Sequence, residues 1–167
     1  MIKTKILLFF IIIILLIEAI MLISGYKLSI NISPSLPYSV FLVKTKNFNH
    51  NSIKNGDFIQ FINQDATYYN GINITKQVFA KGGDILDIQI FNEIHNNIQG
   101  TITFNNKILK VKDRSMKGTK VNINNITKIP DNNYFVIGYN ENSFDSRYKE
   151  FGLINEKEVI GVAKPLF

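Results

Sequence analysis

From Ile6 to Ile23 the chain reads ILLFFIIIILLIEAIMLI, an apolar run broken only by Glu18. As a helix it would extend about 27 Å, close to the roughly 30 Å of a hydrocarbon core. From Val40 onward the pattern changes to short runs of Ile, Val, Phe and Thr at a period of two. SVFLVK, DFIQFI, ITKQVFA, DILDIQIF, GTITFN, KILKVK, KVNINNI, NYFVIGY and VIGVAK each read as a strand. Turn formers separate them: Asn55-Gly56, Gly82-Gly83, Asn105-Asn106 and the PDNN run from Pro130. TITFNNKILKV alternates about an Asn-Asn pair and predicts a hairpin. No strongly amphipathic helix and no internal repeat intervenes. The expectation is a mainly β, antiparallel domain with long coils behind one N-terminal transmembrane helix.

This divides the chain into a membrane anchor over residues 1–25 and an extracytoplasmic domain over 26–167. Within the latter, about 87–128 reads as a β-insert without obvious chemistry. Lys3 and Lys5 precede the apolar run, which argues for a cytoplasmic N-terminus. ISGYKLS, after the run, lacks an A-x-A cleavage site, so the segment reads as a retained anchor rather than a removed signal peptide. Glu18 is either tolerated toward one end of the helix or used in a helix–helix contact.

Composition removes several classes of chemistry. The 167 residues include no cysteine, which excludes disulfides, thiolate catalysis and Cys-based metal sites. The two histidines, His50 in NFNHNS and His95 in NEIHNN, have no second ligand at metal spacing. They read as exposed loop residues, and neither a metal nor a cofactor is expected. The net charge of +6 is dispersed, with no basic run that would suggest nucleic acid.

Three stretches hold candidate chemistry. Ser35 lies in SPSLP between Pro34 and Pro37, a few residues past the apolar run; alone it could be a turn serine. Lys76, in ITKQVFAKGGD, shares its parity with Ile74 and Val78. Facing the apolar side, it must snorkel, pair, or lose its proton. The third stretch, GYNENSFDSRY over Gly138–Tyr148, is dense in polar side chains, and Asp145 and Arg147 could pair to pin a loop.

Together, SxP beyond a single anchor, KxVxxxxGD and GxNxxSFDSRY resemble the signal peptidase superfamily of Ser/Lys proteases, in order and approximate spacing from Ser33 to Pro165. NGDFIQF also fits, at Gly56-Asp57. One residue rather than two separates Ser35 from Pro37, and this spacing, with SFDSRY, is most similar to the conjugative-transfer (TraF-like) branch. The chain departs from that branch in having Leu36 for methionine, Ser39 for glycine, Phe41 at the aromatic position, Gln77 for arginine and Gly82 for proline. Lys149 and Glu150 delay the aromatic-Gly pair after DSRY.

The resemblance implies a barrel-like antiparallel signal-peptidase fold and a membrane-anchored endopeptidase. Ser35 would be the nucleophile and Lys76 the general base. The Ser35 N–H and the Ser33 hydroxyl would serve the oxyanion, and Ser143 would orient the lysine. Asp145, Ser146 and Arg147 would hold the loop, and Gly83 and Asp84 would shape the turn behind the lysine strand. The implied partners are membrane lipid and an exported pre-protein, in the conjugation branch a pilin precursor. A general type I signal peptidase or a non-catalytic anchored β-domain is the alternative. Glycosylation acceptor patterns occur at Asn31, Asn73 and Asn125; the first two lie beside Ser35 and Lys76, where glycans added in a eukaryotic lumen would crowd the cleft, so a bacterial inner membrane with a periplasmic domain fits better.

Overall fold

The computed structural model describes residues 2–62, 71–115 and 118–167. A single helix, α1 (Ile2–Ser24), precedes ten strands. Its stretch Thr4–Ser24 has a mean hydropathy of 3.4 with none of its apolar window buried, and it is long and apolar enough to cross a membrane. Glu18 is exposed on its surface. The helix stops at Gly25, whose φ of +76° is the left-handed conformation that glycine adopts without a Cβ penalty. The Gly25 N–H returns to the Leu22 carbonyl, and the strand begins at the next residue.

Seven strands form one antiparallel sheet: β1 (Tyr26–Ile30), β2 (Val40–Lys44), β3 (Phe58–Ile62), β4 (Asn73–Lys81), β8 (Asn133–Ile137), β9 (Ile154–Asn155) and β10 (Val159–Pro165). Their order is β1-β2-β10-β3-β4-β8-β9. The sheet curls strongly. Two strands separate β1 from β3, which in a flat sheet would lie about 14 Å apart. Yet Gln60 Nε2 on β3 donates to Ser29 Oγ on β1 at 2.7 Å.

β5 (Asp87–His95), β6 (Ile98–Phe104) and β7 (Lys107–Lys112) form a separate three-stranded meander. Both of its hairpins turn on Asn-Asn pairs with positive φ: Asn96 and Asn97 at 52° and 64°, Asn105 and Asn106 at 48° and 62°. These are the conformations that match a tight turn to strand twist. His95 therefore ends a strand rather than lying in a loop; its side chain is outside the described residues. His50 opens a short 3-10 helix, His50–Ser52, and is half-buried with its ring against Phe48.

The main core lies between the large sheet and the meander. Ile59, Phe61, Val78, Ala80, Phe135 and Val136 on one side meet Ile102 and Val111 on the other. A smaller cluster of Leu36, Phe41, Val43, Phe58 and Ala163 fills the opposite, concave face. KVNINNI is not a strand, although its pattern predicts one. It makes only isolated bridges, Arg114 to Lys120 and Ile123 to Tyr148. The reason lies in its asparagines. Asn122 binds the Glu150 carboxylate, and Asn124 binds the backbone of Ser146 and Arg147, so the segment's polar groups are used irregularly.

Candidate active site

Ser35 sits on the coil between β1 and β2, and the coil is tied to itself. The Asn31 side chain donates to the Ser33 and Tyr38 carbonyls and accepts from the Ser33 N–H. The Asn31 N–H donates to Ser39 O at 2.8 Å. Leu36, 5% exposed, plugs the concave core beside Phe41 and Phe58. Ser35 is thus held between a backbone loop and a buried leucine, and is itself 7% exposed.

Lys76 points from β4 toward the main core, on the same face as Ile74 and Val78, and is 4% exposed. An ammonium has three donors. Among the described residues Lys76 makes one hydrogen bond, Nζ to Ser143 Oγ at 2.6 Å. Burial with so little compensation disfavours the charged form and brings its pKa down from 10.5 to about 8. The Asp145 carboxylate opposes that shift and the Arg147 guanidinium adds to it.

Ser143 belongs to the loop after β8, and Arg147 organises this loop. Its guanidinium forks onto Asp145, with Nε to Oδ1 and Nη2 to Oδ2 both at 2.8 Å. The same Nη2 reaches the carbonyls of Asn140 and Ser143 at 3.0 and 3.1 Å. Asp145 accepts in addition from the Gly138 N–H at 2.8 Å. Ser146 pairs with Val136 in both directions, through its hydroxyl and its N–H, each at 3.0 Å. Both charges are buried, and each is paired and further hydrogen-bonded, as burial demands.

Gly138 is where the serine coil and this loop meet. The Ser35 carbonyl accepts from the Tyr139 N–H at 2.7 Å. A Cβ on Gly138 would overlap Ser143 Oγ and lie 2.8 Å from Ser35 O. The chain around Ser35 and the hydroxyl that binds Lys76 therefore flank a single point. Ser35 and Lys76 share no direct hydrogen bond: the amine donates to Ser143 instead.

The Ser35 N–H and the Ser33 hydroxyl, both expected at an oxyanion, instead bond to each other at 3.2 Å. That contact is long, and Ser33 is exposed, so its hydroxyl can rotate. Gly83 and Asp84 lie in the turn beyond the far end of β4, whose last residue, Lys81, is already about 17 Å along the strand from Lys76. Asp84 there accepts from the Lys81 N–H and from the Asn55 side chain, joining the turn at the end of β4 to the Asn55-Gly56 turn. A polar cavity of about 240 Å³ at that same end, lined by Lys81, Asp131, Tyr134 and Glu156, includes none of the candidate residues.

Two residues of the site escape a linear reading. Gly138 is recognisable only once Ser35 and Ser143 converge on it. Asn124, 2% exposed, donates to Ser146 O at 3.0 Å and to the Arg147 carbonyl at 2.8 Å, yet lies in an asparagine-rich run without distinguishing signal. A family model described as signal peptidase, peptidase S26, matches residues 1–167. No curated protein matches the chain.

Proposed function

The chain belongs to the signal peptidase family, peptidase S26, serine peptidases that remove signal peptides from exported proteins, and we propose that it does so with Ser35 as nucleophile and Lys76 as general base. The observation that carries this reading is the Lys76 amine: buried, hydrogen-bonded to Ser143, and low in pKa for a lysine. At pH 7 about a tenth of it is neutral, against less than a thousandth for an ordinary lysine. Free-state catalytic contacts commonly tighten only when substrate binds, so the Lys76–Ser143 bond is compatible with this role.

The chemistry balances without another group. Neutral Lys76 takes the Ser35 hydroxyl proton as the Oγ–carbon bond forms at the scissile carbonyl. The resulting ammonium gives that proton to the leaving amine as the carbon–nitrogen bond breaks. A water then loses a proton to Lys76 and attacks the ester, and Ser35 leaves with that proton. The Ser35 N–H and the Ser33 hydroxyl face the developing oxyanion once substrate displaces their mutual contact. Ser143 orients the amine, while Asp145, Ser146 and Arg147 hold the loop.

Sheet topology supports an extended substrate. β8 pairs with β4 only from Gln77 onward. Among the described residues, the outer edge of Asn73–Thr75 has no strand against it, and β1 pairs only with β2. A polypeptide laid along these open edges as an added strand leads to Ser35 and Lys76. The helix α1 anchors the domain in a bacterial inner membrane, with the catalytic part on the outer, periplasmic side. The substrate is a pilin precursor of a conjugative system. Support for that narrower assignment is the Ser35-Leu36-Pro37 spacing and SFDSRY.

The test is co-expression with pilin and general secretory precursors, followed by mass spectrometry of the products. Wild type yields the mature N-terminus, and Ser35→Ala and Lys76→Ala yield only precursor. Processing that persists in both variants overturns the dyad. Equal processing of all precursors overturns the pilin assignment.

A further inference from the structure

The floor between the two open strand edges is polar, where the rest of the concave face is apolar. Gln60 on β3 is 1% exposed, and its neighbours on that face include Phe58, Phe41, Val43 and Ala163. Its Nε2 donates to Ser29 Oγ on β1 at 2.7 Å and to Thr75 Oγ1 on β4 at 3.2 Å. Its Oε1 is buried and has no partner among the described residues. An amide end left unpaired in this way costs about 1–3 kcal/mol, whichever end occupies that position. Leucine would fill the same volume without that cost.

The glutamine does one thing a leucine could not. It fixes two hydroxyls, one on each open edge. Ser29 and Thr75 are both half-buried, at the boundary between core and solvent. Each already accepts a hydrogen bond from Gln60. Among the described residues neither hydroxyl donates to a further partner, which leaves its hydrogen to donate and one lone pair to accept. Thr75 immediately precedes Lys76 on β4, so any strand laid along this edge passes its side chain within three residues of the scissile bond.

We propose that Ser29, Gln60 and Thr75 form a polar specificity pocket that selects a hydroxyl- or amide-bearing side chain close to the cleavage site. This rests on the extended-substrate reading above and deepens it. An apolar or alanine side chain there would bury the two hydroxyl hydrogens without an acceptor, whereas serine, threonine or asparagine would supply one. Sites built to hydrogen-bond a side chain reject analogues lacking the group strongly, because the protein's own polar atoms are then stranded.

The experiment uses the full chain in detergent micelles and a cleaved precursor whose cut site has been mapped by mass spectrometry. Each of the three residues on either side of the cut is replaced in turn by Ala, Val, Ser, Thr and Asn, and kcat/KM is measured. One position should favour the polar residues over Ala and Val by about tenfold, the equivalent of one net hydrogen bond. In Gln60→Leu that ratio should fall to about one. Thr75→Val should lower it as well, which keeps the test valid if the buried Gln60 substitution prevents folding. A wild type that cleaves with no polar preference at any position overturns the pocket and leaves the dyad standing. So does a preference unchanged in both variants. Absence of cleavage by wild type, or cleavage by Ser35→Ala, overturns the dyad, and the pocket falls with it.

Discussion

At the scale of the residue, Lys76 is the group whose protonation the fold controls. Its folded pKa of about 8 lies below the 10.5 of the exposed side chain. Below pH 8 it is charged in both the folded and unfolded states, and the full burial penalty weighs on the native state. Between pH 8 and 10.5 the unfolded chain binds more protons than the native one, so this group makes stability rise with pH across that window. The whole shift amounts to about 3 kcal/mol. Lys76→Met, similar in length and uncharged, should therefore be inactive yet more stable than wild type at pH 7, by up to about 3 kcal/mol. Urea unfolding at pH 7 and pH 10 checks both the sign and the disappearance of the difference. The same pKa predicts activity. kcat/KM should fall about tenfold per unit below pH 8 and level off above it. A pH profile flat from 6 to 9 would contradict a lysine base. The inward direction of Lys76 is legible in the sequence, because Ile74 and Val78 share its parity. Its partner Ser143, 67 positions away, cannot be read from parity and is named only by the family resemblance of SFDSRY.

At the scale of the element, the loop over Gly138–Tyr148 is held by one guanidinium rather than by regular structure. Arg147 binds Asp145 and, among the described residues, the carbonyls of Asn140, Glu141 and Ser143 in the loop and of Lys110 in the meander. Asp145→Asn removes the charge that compensates a buried guanidinium, which typically costs about 3–5 kcal/mol. The variant should unfold at correspondingly lower denaturant concentration and lose activity with it. Gly138→Ala acts differently, because a methyl there overlaps Ser143 Oγ and crowds Ser35 O. One of the two must shift, and a displacement of about 1 Å in such a site can cost 10²-fold. That loss should appear in kcat/KM of a protein that still folds, as judged by its far-UV circular dichroism. Strands were the most readable elements, because alternation of Ile, Val and Phe follows directly from facing a core. KVNINNI misled for a definite reason. It alternates like a strand, but Asn122 and Asn124 direct their amides to the Gly138–Tyr148 loop and its continuation at Glu150, and sequence periodicity does not register partners that distant. β1 was obscured in turn by its position directly after the apolar run, with no turn residue except Gly25 to mark its start.

At the scale of the molecule, what matters is that the apolar helix and the candidate site are joined with almost no slack. α1 ends at Ser24 and β1 begins at Tyr26. Across that junction Thr45 donates to the Gly25 carbonyl through both its N–H and its hydroxyl, and Lys46 Nζ reaches Leu22 O at 3.3 Å. β1 then leads directly into the coil that carries Ser35. With α1 in a membrane, the site's height above it would be set by a strand and a coil rather than by a flexible tether. A precursor held in the same membrane presents its cleavage site within a narrow range of heights, and two groups confined to one layer meet at high effective concentration only if their reach matches. Inserting a flexible Gly-Ser segment between Gly25 and Tyr26 should therefore leave cleavage of a soluble peptide nearly unchanged, because the sheet and its core remain intact. Processing of a membrane-tethered precursor by the same variant should fall, by about tenfold for a segment long enough to let the domain tumble. Measured side by side in lipid vesicles, the two substrates separate geometry from chemistry. A parallel loss on both would mean that the junction shapes the site itself, and no loss on either would mean that the anchor only retains the enzyme at the membrane.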